Sequence, residues 1–179
     1  MVYTSYTEDI GLMRMDIGGQ SDIGRRKKKN EDSWGVYRAS DTPGCAMIDD
    51  GALLCVADGL GGHQGGEIAS KLAVSIMRDT LKQPCSKPTN KEEADLGPLP
   101  VLAAGFRDAN QSIFQTNRDL KTLKSGPPMG TTLVAAAVTH GKAYIAIVGD
   151  SPCYQIREAK IIQRTDRKST RLNSSHVAL

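Results

Sequence analysis

Three acidic clusters in this chain stand beside glycine or another small residue at the edges of apolar runs. Asp58 closes the run that begins at Leu53 and is followed by Gly59 in "LLCVADGLGGHQGGEIAS". Glu31 and Asp32 stand in "SDIGRRKKKNEDSWG", just ahead of a β-forming stretch, and Asp150 ends the apolar run in "AYIAIVGDS". A carboxylate at the end of a buried strand is held rigidly and faces an opening. A glycine beside it carries no Cβ, so its backbone approaches a ligand closely. Carboxylates and bare carbonyls are hard oxygen donors, the type that suits Mg2+ or Mn2+. Asp58 and the Gly59 carbonyl therefore read as a metal corner. Each acidic cluster alone reads first as a turn or a surface charge. Together they predict convergence at one mouth of a β-sandwich.

The elements that must position these groups follow from periodicity. "WGVYRAS" (34–40) and "ALLCVAD" (52–58) read as adjacent antiparallel strands, joined through the turn signals Pro43-Gly44 and Asp50-Gly51. From Gly66 the period becomes helical, with Ile68, Leu72 and Ile76 on one stripe flanked by Ala69, Ala73 and Met77. That helix is expected to stop near Gln83, before Pro84. "QPCSKPTNKEEADLGPLP" reads as a surface loop or insertion. A second helix is expected over 101–124, with Leu102, Phe106, Ala109, Ile113 and Leu120 facing the core. "GTTLVAAAVTH" and "KAYIAIVGD" form a predicted hairpin with its turn at His140-Gly141. "PCYQIREAKIIQRT" predicts a further strand pair turning near Glu158-Ala159. The last stretch, 166–179, shows no period and is expected to be a non-native-looking or disordered tail. Residues 1–20 are expected to be an N-terminal extension or a first strand.

Composition narrows the function classes. Charged residues make up 24% and hydrophobic residues 39% of 179 residues, the balance of a soluble globular chain. The net charge of +3 is local: residues 25–29, "RRKKK", hold five of the 23 basic residues, and without them acids outnumber bases. That run reads as a solvated loop, with a phosphate-attracting rim and a nucleic-acid or targeting signal as alternatives. Aromatic residues at 4% argue against a base-stacking surface, so no nucleic-acid partner is expected. No apolar run is long enough to span a bilayer, and no secretory signal is visible. The four cysteines form no C-x-x-C pair, which points to a reducing compartment, with the cytoplasm as the expectation.

The stretches "SDIGRRKKKNED", "VADGLGGHQGGEIAS", "GTTLVAAAV" and "AIVGDS", in this order and spacing, resemble the first half of a metal-dependent protein phosphatase of the type 2C (PPM) family, in its bacterial style. The resemblance covers residues 21–165. It implies an α+β fold, an αββα four-layer sandwich of two antiparallel sheets flanked by helices, incomplete in this chain. It implies removal of phosphate from phosphoserine and phosphothreonine proteins by water activated on two or three Mn2+ or Mg2+ ions. It implies that Asp58 bridges two metals and Gly59 offers its carbonyl. Glu31 then binds one metal directly or through water, Asp32 orients metal-bound water, and Asp150 serves an additional ion. A Ser/Thr kinase and its substrates are the partners that the resemblance suggests, and the chain is expected to be monomeric.

The sequence also departs from the family's pattern. Lys27 stands where the family has an arginine that grips the substrate phosphate, and an ammonium cannot make the bidentate fork. Leu60 follows the Asp-Gly pair where some members carry a histidine. His63, in the G-G-H of bacterial members, is expected to bond within the glycine turn, with acid catalysis as its alternative role. Pro152 replaces the arginine of the common G-D-S-R. The distal D-G and D-N motifs of the family do not occur, so the chain is expected to be an N-terminal part with little activity of its own. The alternative reading is a degenerate, non-catalytic domain that binds phosphoproteins or regulates a partner. A nucleotide-binding loop is excluded, because no G-K-[S/T] follows the glycines and no G-x-G-x-x-G opens the helix.

Overall fold

The computed structural model describes residues 2–10, 13–25, 29–41, 48, 51–60, 65–83, 89–122, 128–165 and 173–178. Strands β3 (Asp32–Arg38) and β4 (Ala52–Leu60) pair antiparallel. β4 continues to β6 (Leu133–Thr139), and β6 to β7 (Lys142–Val148). A short β5 (Gly130–Thr131) pairs with the end of β4 at Gly59 and Leu60. The β6–β7 turn falls at His140 and Gly141, both with positive φ, 49° and 69°. That is the geometry that matches the twist of a two-residue hairpin. β8 (Tyr154–Arg157) and β9 (Lys160–Gln163) form the expected strand pair, turning through Glu158 and Ala159. The chain opens with a hairpin of β1 (Val2–Ile10) and β2 (Met13–Ser21), and β2 lies against β3.

The residues expected to form an unstructured tail include a strand, β10 (Asn173–Ala178), which pairs antiparallel with β7. An edge strand offers a row of unpaired N–H and C=O groups, and backbone pairing with it needs no apolar period. Hydropathy reading therefore misses such a strand. The six-stranded sheet runs β10-β7-β6-β4-β3 with β5 beside β4, and every recorded pairing is antiparallel. The fold is α+β, as expected, with antiparallel sheets and helices.

Helices α1 (Gly65–Thr80) and α3 (Leu99–Thr122) cover one face of the large sheet. Alternation along β4 turns Leu53, Cys55, Ala57 and Gly59 toward the helices and leaves Val56, Asp58 and Leu60 exposed on the other face. The core joins Leu53 and Cys55 to Met77, Leu102, Phe106 and Tyr144. Complete burial of side chains such as Leu53, Met77 and Leu102 stabilises the fold by about 2 kcal/mol each.

The buried face of α1 is not the stripe expected from hydropathy. Ala69, Ala73 and Met77 are buried, whereas Ile68 is 45% exposed and Leu72 and Ile76 are half-buried. The reason is the closeness of α3. A Cβ on Gly105 of α3 would lie 2.8 Å from Thr80 Oγ1 and 2.9 Å from Met77 Sδ, so the contact selects small and flexible residues. In α3, Leu102, Phe106 and Ala109 are buried as expected and Ile113 is half-buried, while the Leu120 side chain lies outside the described residues.

The stretch expected to be loop contains a short helix, α2 (Lys91–Leu96). Asn90 caps it by accepting the Glu93 N–H at 2.8 Å, and Glu93 in turn accepts from the Thr89 N–H at 2.7 Å. These short local bonds offset the low apolar content. Gly97 ends the helix at φ 52°, where a Cβ would strike the Tyr144 ring.

Tyr37 on β3 donates its hydroxyl to the Val74 carbonyl at 3.2 Å, pinning α1 to the sheet. Burial, then the neighbouring Cys55, pushes its phenol up to about 12 from an ordinary 10. A phenol raised in the folded state keeps its proton while the unfolded chain loses it. Its stabilising contribution is therefore complete below pH 10 and is lost as pH rises from about 10 to about 12. Chemical denaturation across that window should show the decline, and Tyr37→Phe should flatten it. An unchanged slope in Tyr37→Phe would remove Tyr37 as the cause.

Candidate metal centre

The antiparallel register sets Asp32 directly opposite Asp58, so both side chains leave the sheet on the face away from α1. They line a cleft of about 590 Å³ between β2 and the large sheet, together with Gly19, Trp34, Val56 and Ser151. A Cβ on Gly19 would lie 2.6 Å from the Trp34 ring, so glycine permits β2 to approach this closely. Asn30 closes the loop before β3. Its Oδ1 accepts the Asp32 N–H at 3.0 Å and its Nδ2 donates to Ser21 Oγ of β2 at 2.6 Å. This is an Asx turn, and it fixes the chain entering β3.

Glu31 does not line that cleft. It is buried, and its side chain lies by the first turn of α1. Its backbone carbonyl accepts from Ser70 Oγ at 2.6 Å, and Ser70 in turn meets Ser33 Oγ at 2.9 Å. The Ser70 hydroxyl hydrogen serves the shorter bond, so Ser33 is the donor in the pair. Ser70 is fully buried, and this hydroxyl chain ties α1 to the start of β3.

Gly59 and Gly66 make the close approach possible. A Cβ on Gly59 would lie 2.5 Å from the Glu31 carbonyl oxygen and would also meet the Gly66 carbonyl. A Cβ on Gly66 would lie 3.0 Å from the Gly59 carbonyl oxygen and 3.1 Å from Glu31 Oε1. Glu31 Oε1 and the Gly59 carbonyl oxygen therefore meet beside Gly66, in a contact that only glycine allows. Both are hard oxygen atoms, the donor type that suits Mg2+ or Mn2+. Among the described residues, no group of three or more His, Cys, Asp or Glu side chains is gathered closely enough to hold an ion by itself.

Asp58 is fixed by its backbone. Its N–H donates to Thr132 Oγ1 at 3.1 Å, and its carbonyl accepts from the Thr132 N–H and from Thr131 Oγ1, both at 2.9 Å. Asp150 stands exposed in the bend after β7, between Gly149 and Ser151. The roles of Thr131, Thr132 and Asn30 do not show in charge or hydropathy. Asparagine two positions ahead of a strand's first N–H is the visible signal for the turn. Lys27 and His63 lie outside the described residues.

Asn117 of α3 replaces a strand partner for Met129: its Oδ1 accepts the Met129 N–H and its Nδ2 donates to the Met129 carbonyl, both at 2.8 Å. That pair sets the approach of β5 to Gly59. Burial pushes the Cys55 thiol up to about 12, so it stays protonated near neutral pH and packs as a small apolar side chain. Lys71, hydrogen-bonded at 2.8 Å, holds the Glu67 carboxyl below its usual range.

The protein phosphatase 2C profile matches residues 21–175. The chain belongs to the protein phosphatase 2C family. It is 31% identical over 150 residues to the serine/threonine phosphatase stp of Listeria monocytogenes, covering 84% of this chain and 53% of that protein. Among solved structures it is similar to the serine/threonine phosphatase Stp1 from Staphylococcus aureus, at 26% identity and TM-score 0.61, over 91% of this chain and 52% of that one. It is also similar to the catalytic domain of the phosphatase PstP solved in complex with two manganese ions, at 27% identity and TM-score 0.56, over 92% and 54% of the two chains. The 2C-type chain thus spans about half the length of the Listeria relatives that it matches. The matched region extends past residue 165, where the resemblance read from motifs stops, and enters β10.

Proposed function

We propose that this chain contributes the Asp58–Gly59 corner of a Mn2+- or Mg2+-dependent protein serine/threonine phosphatase. The observation that supports this most directly is the meeting of Glu31 Oε1 and the Gly59 carbonyl beside Gly66, one residue from an exposed carboxylate whose backbone is fully bonded. A bound divalent ion would supply an acidified water and screen the charge of the phosphate. In this reading Glu31, Asp58 and Gly59 hold ions, Asp32 accepts a proton or hydrogen bond from water in the cleft, and Asp150 serves a further ion. Lys27 attracts the substrate phosphate, and His63 stabilises the glycine turn. Substrates are phosphoserine and phosphothreonine proteins in the cytoplasm, set against a Ser/Thr kinase.

Relatives about twice as long support a second part of the proposal, that these 179 residues hold the ions incompletely and turn over slowly alone. The test is Mn2+ binding by titration calorimetry, joined to phosphate release from a phosphothreonine peptide with and without EDTA. Measurable Mn2+ binding with slow release is expected. Absence of Mn2+ binding would overturn the metal reading. Rapid, EDTA-sensitive release would keep the phosphatase chemistry and overturn the claim of incompleteness.

A further inference from the structure

Two hydroxyl groups connect the strand end at Asp58 with the bend that carries Asp150. Thr132 is almost fully buried beside Asp58, with which it exchanges both backbone-directed bonds: the Asp58 N–H donates to Thr132 Oγ1 at 3.1 Å, and the Thr132 N–H donates to the Asp58 carbonyl at 2.9 Å. The same Oγ1 lies 2.6 Å from Ser151 Oγ. Gly149 turns at φ 101°, and a Cβ there would lie 2.7 Å from Thr132 Cγ2, so the 149–151 bend folds down onto this threonine. Asp150 sits at the centre of that bend. Ser151 also lines the cleft that holds Asp32 and Asp58.

From this arrangement we infer that the Thr132–Ser151 hydroxyl pair is a positioning link that holds Asp150 at a fixed place relative to Asp58, and that it acts on divalent-ion binding through Asp150. The inference rests on the metal reading above. The hydrogen count is consistent. Thr132 Oγ1 accepts from the Asp58 amide and keeps one hydrogen and one further lone pair, so it serves Ser151 as donor or acceptor. Without the bond, the bend has one side-chain tie fewer, and the carboxylate of Asp150 samples positions away from the strand end. Groups that orient a ligand without touching the ion are typically worth about 10- to 100-fold in affinity.

The experiment is Mn2+ titration calorimetry on the whole chain, in five forms: the unaltered protein, Ser151→Ala, Asp150→Asn, the double variant and Thr132→Ser. Thermal unfolding in EDTA serves as the folding control. Ser151→Ala is expected to weaken Mn2+ binding about 10-fold in the unaltered background and to have no further effect once Asp150 is changed. Thr132→Ser, which keeps the hydroxyl, should bind Mn2+ as the unaltered protein does. An equal loss from Ser151→Ala in both backgrounds would overturn the link, because the serine would then act on the fold and not through Asp150. Unaltered affinity in Ser151→Ala, in a chain that does bind Mn2+, would overturn the link alone. A chain that binds no Mn2+ in any form would overturn the metal reading and, with it, the role of the link. Should Ser151→Ala lower the unfolding temperature markedly, Ser151→Gly and Ser151→Thr give the same comparison, and the threonine is expected to rescue binding.

Discussion

Asp58→Asn is expected to weaken Mn2+ binding by at least about 100-fold, since groups that only orient a ligand already account for 10- to 100-fold. The substitution keeps size and shape and removes the charge. Nothing else at the position needs to move. The Asp58 backbone is held by Thr131 and Thr132, and its ladder position opposite Asp32 is fixed by strand pairing on both sides of β4. The carboxylate is exposed, so the unfolding free energy should change by no more than about 0.5 kcal/mol. In any form of the protein that releases phosphate from a phosphothreonine peptide, the same change should abolish Mn2+-dependent turnover. Calorimetric titration and phosphate release report the two effects separately. Near-normal Mn2+ affinity in Asp58→Asn would take Asp58 out of the metal corner.

Gly59→Ala should have the largest effect on stability among the site glycines, a loss of about 3 kcal/mol. The new methyl group would meet carbonyl oxygens of Glu31 and Gly66, and these are backbone atoms from two different elements. No rotamer change relieves such a contact. Either β3 or the first turn of α1 must retreat from β4, and the Ser70–Glu31 bond retreats with it. Gly130→Ala is the matched control, because Gly130 pairs with Leu60 in the same ladder and has open space around its Cα. It should lie within about 0.5 kcal/mol of the unaltered protein. Gly66→Ala is intermediate. Alanine gains about 1 kcal/mol in helix propensity, but its methyl crowds Glu31 Oε1 and the Gly59 carbonyl. It should therefore cost ion binding more than it costs stability. Urea denaturation of the three variants decides the order, and equal stability of Gly59→Ala and Gly130→Ala would refute the close-packing argument.

Much of this arrangement was legible in the sequence, because local signals and tertiary demands agree there. The β6–β7 hairpin shows in His140-Gly141, and the β8–β9 turn in its position between two short strands. β4 ends in Asp58-Gly59-Leu60 because the apolar alternation and the need for a close backbone approach coincide at Gly59. Elsewhere tertiary contact overrides the local signal. Hydropathy favours Ile68, Leu72 and Ile76, yet the near approach of Gly105 selects the neighbouring face of alanines and Met77. α2 was hidden because six mostly charged residues carry no apolar stripe, and its evidence lies in the Thr89, Asn90 and Glu93 side chains. The carbonyl and amide of Met129 find their partner in Asn117 across the α3–β5 connection, a pairing that no periodicity encodes. The sequence suggests that three acidic clusters, with four carboxylates, meet at one mouth. The structure instead sets Asp32 and Asp58 on one face, Glu31 by the helix, and Asp150 in a bend tied to Asp58 through hydroxyl groups. Serine and threonine pass unnoticed in a search for charge, and they carry most of these ties.

The pairing of Asp32 with Asp58 guards against misfolding. Sliding β4 by one residue would turn Asp58 under α1 and bring Ala57 to the open cleft. An ionised carboxylate facing Ala73 and Met77 would lose its hydration without a compensating cation, at a cost of several kcal/mol. A slipped chain would thus lack both the Asp58–Gly59 corner and a stable core.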